Sequence, residues 1–164
     1  MPATYEPIAT ATMNGFSASA TFANIPQTYT DLRLTAFFTG VAGCNFSTRV
    51  GNGGIDTAAN YNCTRLYGTG GVGVSNRNSD VDFLTANITV GASGSNSVID
   101  IMNYTNTATY KAALHRFNDG SSIVFAVAGM WRSSSAITHV RIYSTNSVDF
   151  ANGTVFTLYG IKAA

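Results

Sequence analysis

Charge is scarce in this sequence. Asp, Glu, Lys and Arg make up 10% of its 164 residues, against about 25% in an average soluble protein. The surface must therefore be polar but uncharged, built from Ser, Thr, Asn and Gly. A net charge of +1 is too small for electrostatic capture of nucleic acid or of an anionic membrane. It also puts little repulsion between copies. Lysine is scarce: Lys111 and Lys162 stand against seven arginines. Arg in preference to Lys, with 12% aromatics, suits an interface, because the planar guanidinium bonds and stacks at lower desolvation cost. The composition reads as that of a subunit rather than a free enzyme.

Long apolar runs are also missing. No stretch approaches the roughly 18 apolar residues of a membrane-spanning helix. The first residues, Met1 to Glu6, carry no basic residue and no apolar core, so no signal peptide is expected and synthesis in a cytoplasm is. Two cysteines, Cys44 and Cys63, are too few for a metal set, which needs about four ligands at short spacing. Two small buried thiols are the expectation, with a disulfide open only outside a reducing cell.

Helical periodicity is absent too. What recurs is short alternation rich in Thr, Val, Ile, Phe and Tyr, bounded by Gly and Asn, the pattern of half-buried strands. Asp31 to Phe37 puts Leu32 and Leu34 on one side. Asn96 to Asn103 does so with Ile99 and Ile101, and Thr138 to Tyr143 with Val140 and Ile142. Ser122 to Val127 is apolar on both faces and reads as a central strand. Further strands are expected over 6–13, 16–23, 46–50, 60–67, 82–88, 109–117 and 155–161. Asn14-Gly15, Asp119-Gly120 and Asn152-Gly153 supply turns, and the Gly/Asn/Ser-rich stretches 40–60 and 68–80 read as loops. The expected fold is all-β: one antiparallel β-sandwich over 1–164, jelly-roll-like, of about ten strands. Pro2 and Pro7 suit residues 1–8 to an N-terminal arm or an edge strand.

Chemistry leaves little trace. The imidazoles, His115 and His139, lie in strand patterns with no nucleophile motif beside them. Asp80 and Asp82 share a face if their segment is extended, but the acidic run of a calcium loop is missing. The clusters Gly51 to Gly54 and Gly68 to Gly73 lack the Lys-Ser/Thr ending of a phosphate loop. No catalytic, cofactor-binding or metal-binding residues are assigned, and no enzyme activity is expected. Trp131, the sole tryptophan, plugs the core, meets a neighbour or stacks on a sugar. Tyr5, Pro7, Trp131 and Arg132 are the candidate interface residues.

Four segments resemble a family. Ile25-Pro26-Gln27-Thr28-Tyr29-Thr30-Asp31-Leu32 is similar to the IPxTYTDL segment of small tailed-bacteriophage virion proteins, and Ile101-Met102-Asn103-Tyr104 resembles their middle. Trp131-Arg132-Ser133 with Ala136-Ile137 and Val140 to Tyr143 resembles their WRS…AI…I.LY segment. Phe150 to Ile161 resembles their FxxGSTFTLYGI close, with Asn152-Gly153-Thr154 departing where a small residue and Ser are usual. The resemblance implies a virion structural protein made in the host cytoplasm and placed on the capsid exterior. As a decoration (cement) protein it would bind the major capsid protein and copies of itself, as a homotrimer. The rival reading is a tail-fibre or receptor-binding module that takes host surface carbohydrate, with Trp131 or loop tyrosines exposed to it. Nucleic acid and membrane are not expected partners.

Overall fold

The computed structural model describes residues 4–40, 43–119 and 123–162. Within them the alternating segments become twelve strands, and there is no helix among the described residues. In chain order they are β1 (Tyr5–Thr12), β2 (Ser19–Phe22), β3 (Asp31–Phe38), β4 (Asn45–Gly51), β5 (Tyr61–Gly68) and β6 (Gly73–Val81), followed by β7 (Ile88–Thr89), β8 (Ser95–Met102), β9 (Lys111–Asn118), β10 (Val124–Trp131), β11 (His139–Ser144) and β12 (Val155–Ile161). Eight form one antiparallel sheet in the order β1-β12-β3-β8-β9-β10-β5-β6, and four form a second, β2-β11-β4-β7. The chain crosses repeatedly from one sheet to the other, giving the jelly-roll-like sandwich expected from the alternation.

Period-two patterning fills the space between the sheets. β3 turns Leu32, Leu34, Ala36 and Phe38 inward, β11 turns in Val140 and Ile142, and β12 turns in Phe156 and Leu158. Phe38 from the large sheet meets Phe46 from the small one with ring centroids 4.5 Å apart, and Phe150 and Phe156 close around it at 5.9 and 5.5 Å.

Several local expectations change. The 68–80 stretch is a hairpin, not a loop: Gly68 pairs with Gly73, and β6 runs antiparallel to β5 as an edge strand. Neither face of that edge is buried, so its sequence shows no apolar alternation. Residues 82–87, expected as a strand, instead seal the edge of β4. Leu84 N–H donates to the Thr48 carbonyl at 2.7 Å, and Ser47 Oγ donates to the Thr85 carbonyl at 2.5 Å. Asn14-Gly15 does not join a hairpin, because β1 and β2 belong to different sheets. Gly15 (φ +88°) carries the crossing. Asn152-Gly153 does make the expected turn before β12, with Gly153 in the left-handed conformation (φ +83°). The β9–β10 turn is closed by Asp119 and Ile123, bonded to one another at 2.9 and 3.1 Å; Gly120 and Ser122 lie outside the described residues. From Tyr5 onward the N-terminal segment is strand, not free arm: β1 pairs with β12, with a bulge between Pro7 and Ala9. Met1 to Ala3 lie outside the described residues.

Candidate interaction surface

The segments that carry the family resemblance meet at one place. The Tyr29 ring lies on Gly160 so closely that a Cβ there would fall 2.3 Å from its Cγ. Tyr29 donates its hydroxyl to Glu6 at 3.0 Å, and Lys162 donates to the other Glu6 oxygen at 2.8 Å. Those two donors hold the Glu6 carboxyl below its usual range, Lys162 most strongly. Tyr104 donates to the Pro26 carbonyl and accepts at its own carbonyl from Ile137 N–H. Gln27 bridges Ile25 and Ile137 through their carbonyls. These motif residues knot distant parts of the chain into one fold and present no reactive group.

The two candidate interface residues near Trp131 face inward or are engaged. Trp131 is 3% exposed. Its indole N–H donates to Asp56 Oδ2 at 2.8 Å, and the same carboxylate accepts from Ala58 N–H and Asn60 Nδ2. Burial raises the Asp56 pKa, but these donors outweigh it, Trp131 first, and the carboxyl lies below its usual range. Of the three roles open to Trp131, the structure shows core plugging; no face is left for a sugar. Arg132 pairs with Asp80 at 2.6 Å and donates to the Ala59 carbonyl. Tyr5 and Pro7 are exposed on β1, with the Arg33 guanidinium 5.2 Å from the Tyr5 ring centroid.

The groups screened for chemistry are separated or sealed. His115 is buried between the sheets, with Nε2 2.8 Å from Ser97 Oγ and Nδ1 without a partner. Burial pushes its pKa down to about 3. This Ser–His pair has no acid to orient it, and both side chains are buried. Asp80 and Asp82 are drawn apart: Asp80 has φ +54° and pairs with Arg132, while Asp82 pairs with Arg49. Lys111 is buried, donating to the Thr109 and Ser134 carbonyls, and burial lowers its pKa. Cys44 and Cys63 are both buried and unbridged; burial raises both thiols, that of Cys63 to about 11. No cluster of three or more metal-ligating side chains occurs among the described residues.

The outer face of the large sheet carries exposed apolar side chains. β9, β10 and β5 send every second side chain outward, so strand pairing lays them in rows. One row runs Asp100–Leu114–Ala128–Thr64 and the next Val98–Arg116–Ala126–Leu66. Leu66 is 57% exposed, Leu114 49% and Val124 66%. The alanines of β10 are the low points between taller neighbours on β9 and β5, leaving a trough of about 570 Å³. On one side Asp100 bonds Arg33 at 2.5 Å and Arg116 at 2.9 Å; beyond the other stands Arg77, opposite Thr64. This face was hidden in the apolar-on-both-sides pattern of β10. That pattern is the usual mark of a strand covered on both faces, and here only one face is covered.

No family model matches this chain, and no curated protein does. Among solved structures it is similar to a human SPRY domain, at 11% identity over 98% of each chain with a TM-score of 0.38. It is also similar to domains LG4-5 of the mouse laminin alpha1 chain, at 12% identity over 91% of this chain and 40% of that one, with a TM-score of 0.35.

Proposed function

We propose that this chain is a structural protein of a tailed-bacteriophage virion that decorates the outside of the head, bridging capsid subunits as a cement protein and associating with copies of itself as a homotrimer. The observation that carries the reading is the exposed apolar face of the large sheet, which includes Leu66, Leu114 and Val124. Contiguous apolar surface on an otherwise polar protein marks an interaction site, and burying the exposed half of each such side chain is worth about 1–2 kcal/mol. The low charge and the sequence resemblance support the same reading. Cohesion would come from many copies of a modest interface, with no enzymatic step.

The test is copy number and place. This chain is quantified against the major capsid protein in purified particles and located by antibody-gold labelling. Hundreds of copies spread over the head are expected. A few copies confined to the tail tip would overturn the reading and turn attention to glycans.

A further inference from the structure

Phe16 is the most exposed large apolar residue of the described chain, at 84%. It sits on the β1–β2 crossing, held out by an Asx turn in which Phe16 N–H donates to Asn14 Oδ1 at 3.1 Å. Gly15 (φ +88°) lies against Asn152. Beside this tip the Phe150 N–H donates to the Ser17 carbonyl at 2.9 Å, which brings Asp149 next to it. Asp149 is exposed and is the one charged residue in segments 13–20 and 144–154.

The trough on the large sheet has the opposite character. Its floor is Ala126 and Ala128, and its walls are Leu66, Leu114 and Arg116. Three arginines, Arg33, Arg77 and Arg116, stand on this face against two aspartates, Asp31 and Asp100, and the Arg116 side chain is 63% exposed. One chain thus carries an apolar knob with a negative neighbour and, on a different face, an apolar hollow with a positive rim.

We propose that a second copy of this chain seats its Phe16 tip in this trough, with its Asp149 against the Arg116 rim. The contact is heterologous: knob and hollow are different surfaces, so each copy uses both, and the chain of contacts closes into a ring when the rotation fits. A single aromatic anchor filling a pocket inside a charged rim is the arrangement that concentrates binding energy. The proposal deepens the self-association within the reading above and rests on that part of it. It is decided in solution with the purified chain, whereas head decoration is decided on particles, so either can fail alone.

The experiment is sedimentation velocity of the full chain over a range of concentrations, with Phe16→Ser (no knob) and Ala128→Arg (hollow filled). Both sites are solvent-facing, and circular dichroism with thermal unfolding checks that each variant folds. Wild type is expected to form a closed oligomer, and each variant to lose association by about tenfold or more in Kd. An equimolar mixture of the two variants is expected to form one-to-one pairs, because each retains the half that the other lacks. Asp149→Arg is expected to weaken association, and Arg116→Asp in the same chain to restore it. A wild type that stays monomeric at its highest soluble concentration overturns the proposal. So do variants that associate as tightly as wild type, or a mixture that does not pair.

Discussion

Acid should unfold this protein through a single imidazole before its carboxylates respond. His115 lies between Phe46 and Phe117, with ring centroids at 6.0 and 6.2 Å. Ser97 satisfies one ring nitrogen and nothing reaches the other. A second proton would create a buried charge and an unpaired donor together. The folded protein therefore takes up that proton only near pH 3, whereas an unfolded chain does so near pH 6.5. The depressed value sets the sign. Between those limits the unfolded state binds more protons, so stability present above about pH 6.5 is lost as the pH falls. At 1.36 kcal/mol per unit, the loss is about 2 kcal/mol by pH 5 and about 5 kcal/mol in full. Glu6 and Asp56, both held below the usual carboxylate range, add their losses only at lower pH. The interval from pH 7 to pH 5 thus isolates His115. Urea unfolding followed by the fluorescence of buried Trp131 should show the loss in wild type and not in His115→Gln, which keeps a neutral polar group near Ser97. His139 is present in both proteins, so its contribution cancels. An equal loss in the two proteins, or no loss in wild type, would refute the reasoning.

Three further outcomes are expected. Gly160→Ala drives a Cβ into the Tyr29 ring and should cost about 1–3 kcal/mol, read as a fall in Tm of about 3–10 °C; Tyr29→Ala in the same chain should recover part of it. Asp56→Ala strips the partner from the Trp131 indole and two loop donors and should lower stability by about 2 kcal/mol, measured as a shifted urea midpoint with unchanged slope. Native Cys44 and Cys63, buried with raised pKa values, should resist a thiol reagent at pH 8 and react at once in denaturant; rapid labelling of the folded protein would contradict their placement.

The sandwich was readable because burial writes itself into a strand with period two. Leu32, Leu34, Val140 and Ile142 announce one buried face, and no rival period competes. The edges were not readable. β6 reads as a loop because an edge strand held by one neighbour needs no apolar face, and 82–87 reads as a strand because its buried residues, Leu84 to Ala86, mimic one while sealing β4. The resemblance pointed to residues that hold the fold, as Tyr29 packed against Gly160 shows. The apolar outer face of the large sheet was half legible. Val124, Ala126 and Ala128 betray an apolar outer face on β10, but sequence cannot tell a covered face from a bare one. Phe16 stood inside an expected strand, and only the Asx turn at Asn14 frees it. Trp131, the obvious candidate for an exposed aromatic, is fastened inside by a carboxylate 75 positions away, a pairing that no local pattern encodes.

The order of the large sheet also dictates when it can exist. β12 lies between β1 and β3, yet it is synthesised after every other strand. Until it arrives, β1 has no partner in the sheet, Tyr29 has no glycine to rest on, and β3 shows a bare edge on one side. Pairings this distant along the chain fold slowly, and an unfilled edge invites the wrong strand. β1 and β3 must stay apart until Val155 to Ile161 have been made. Removing β12 would take out a plank from inside the sheet and leave two pieces with no common edge.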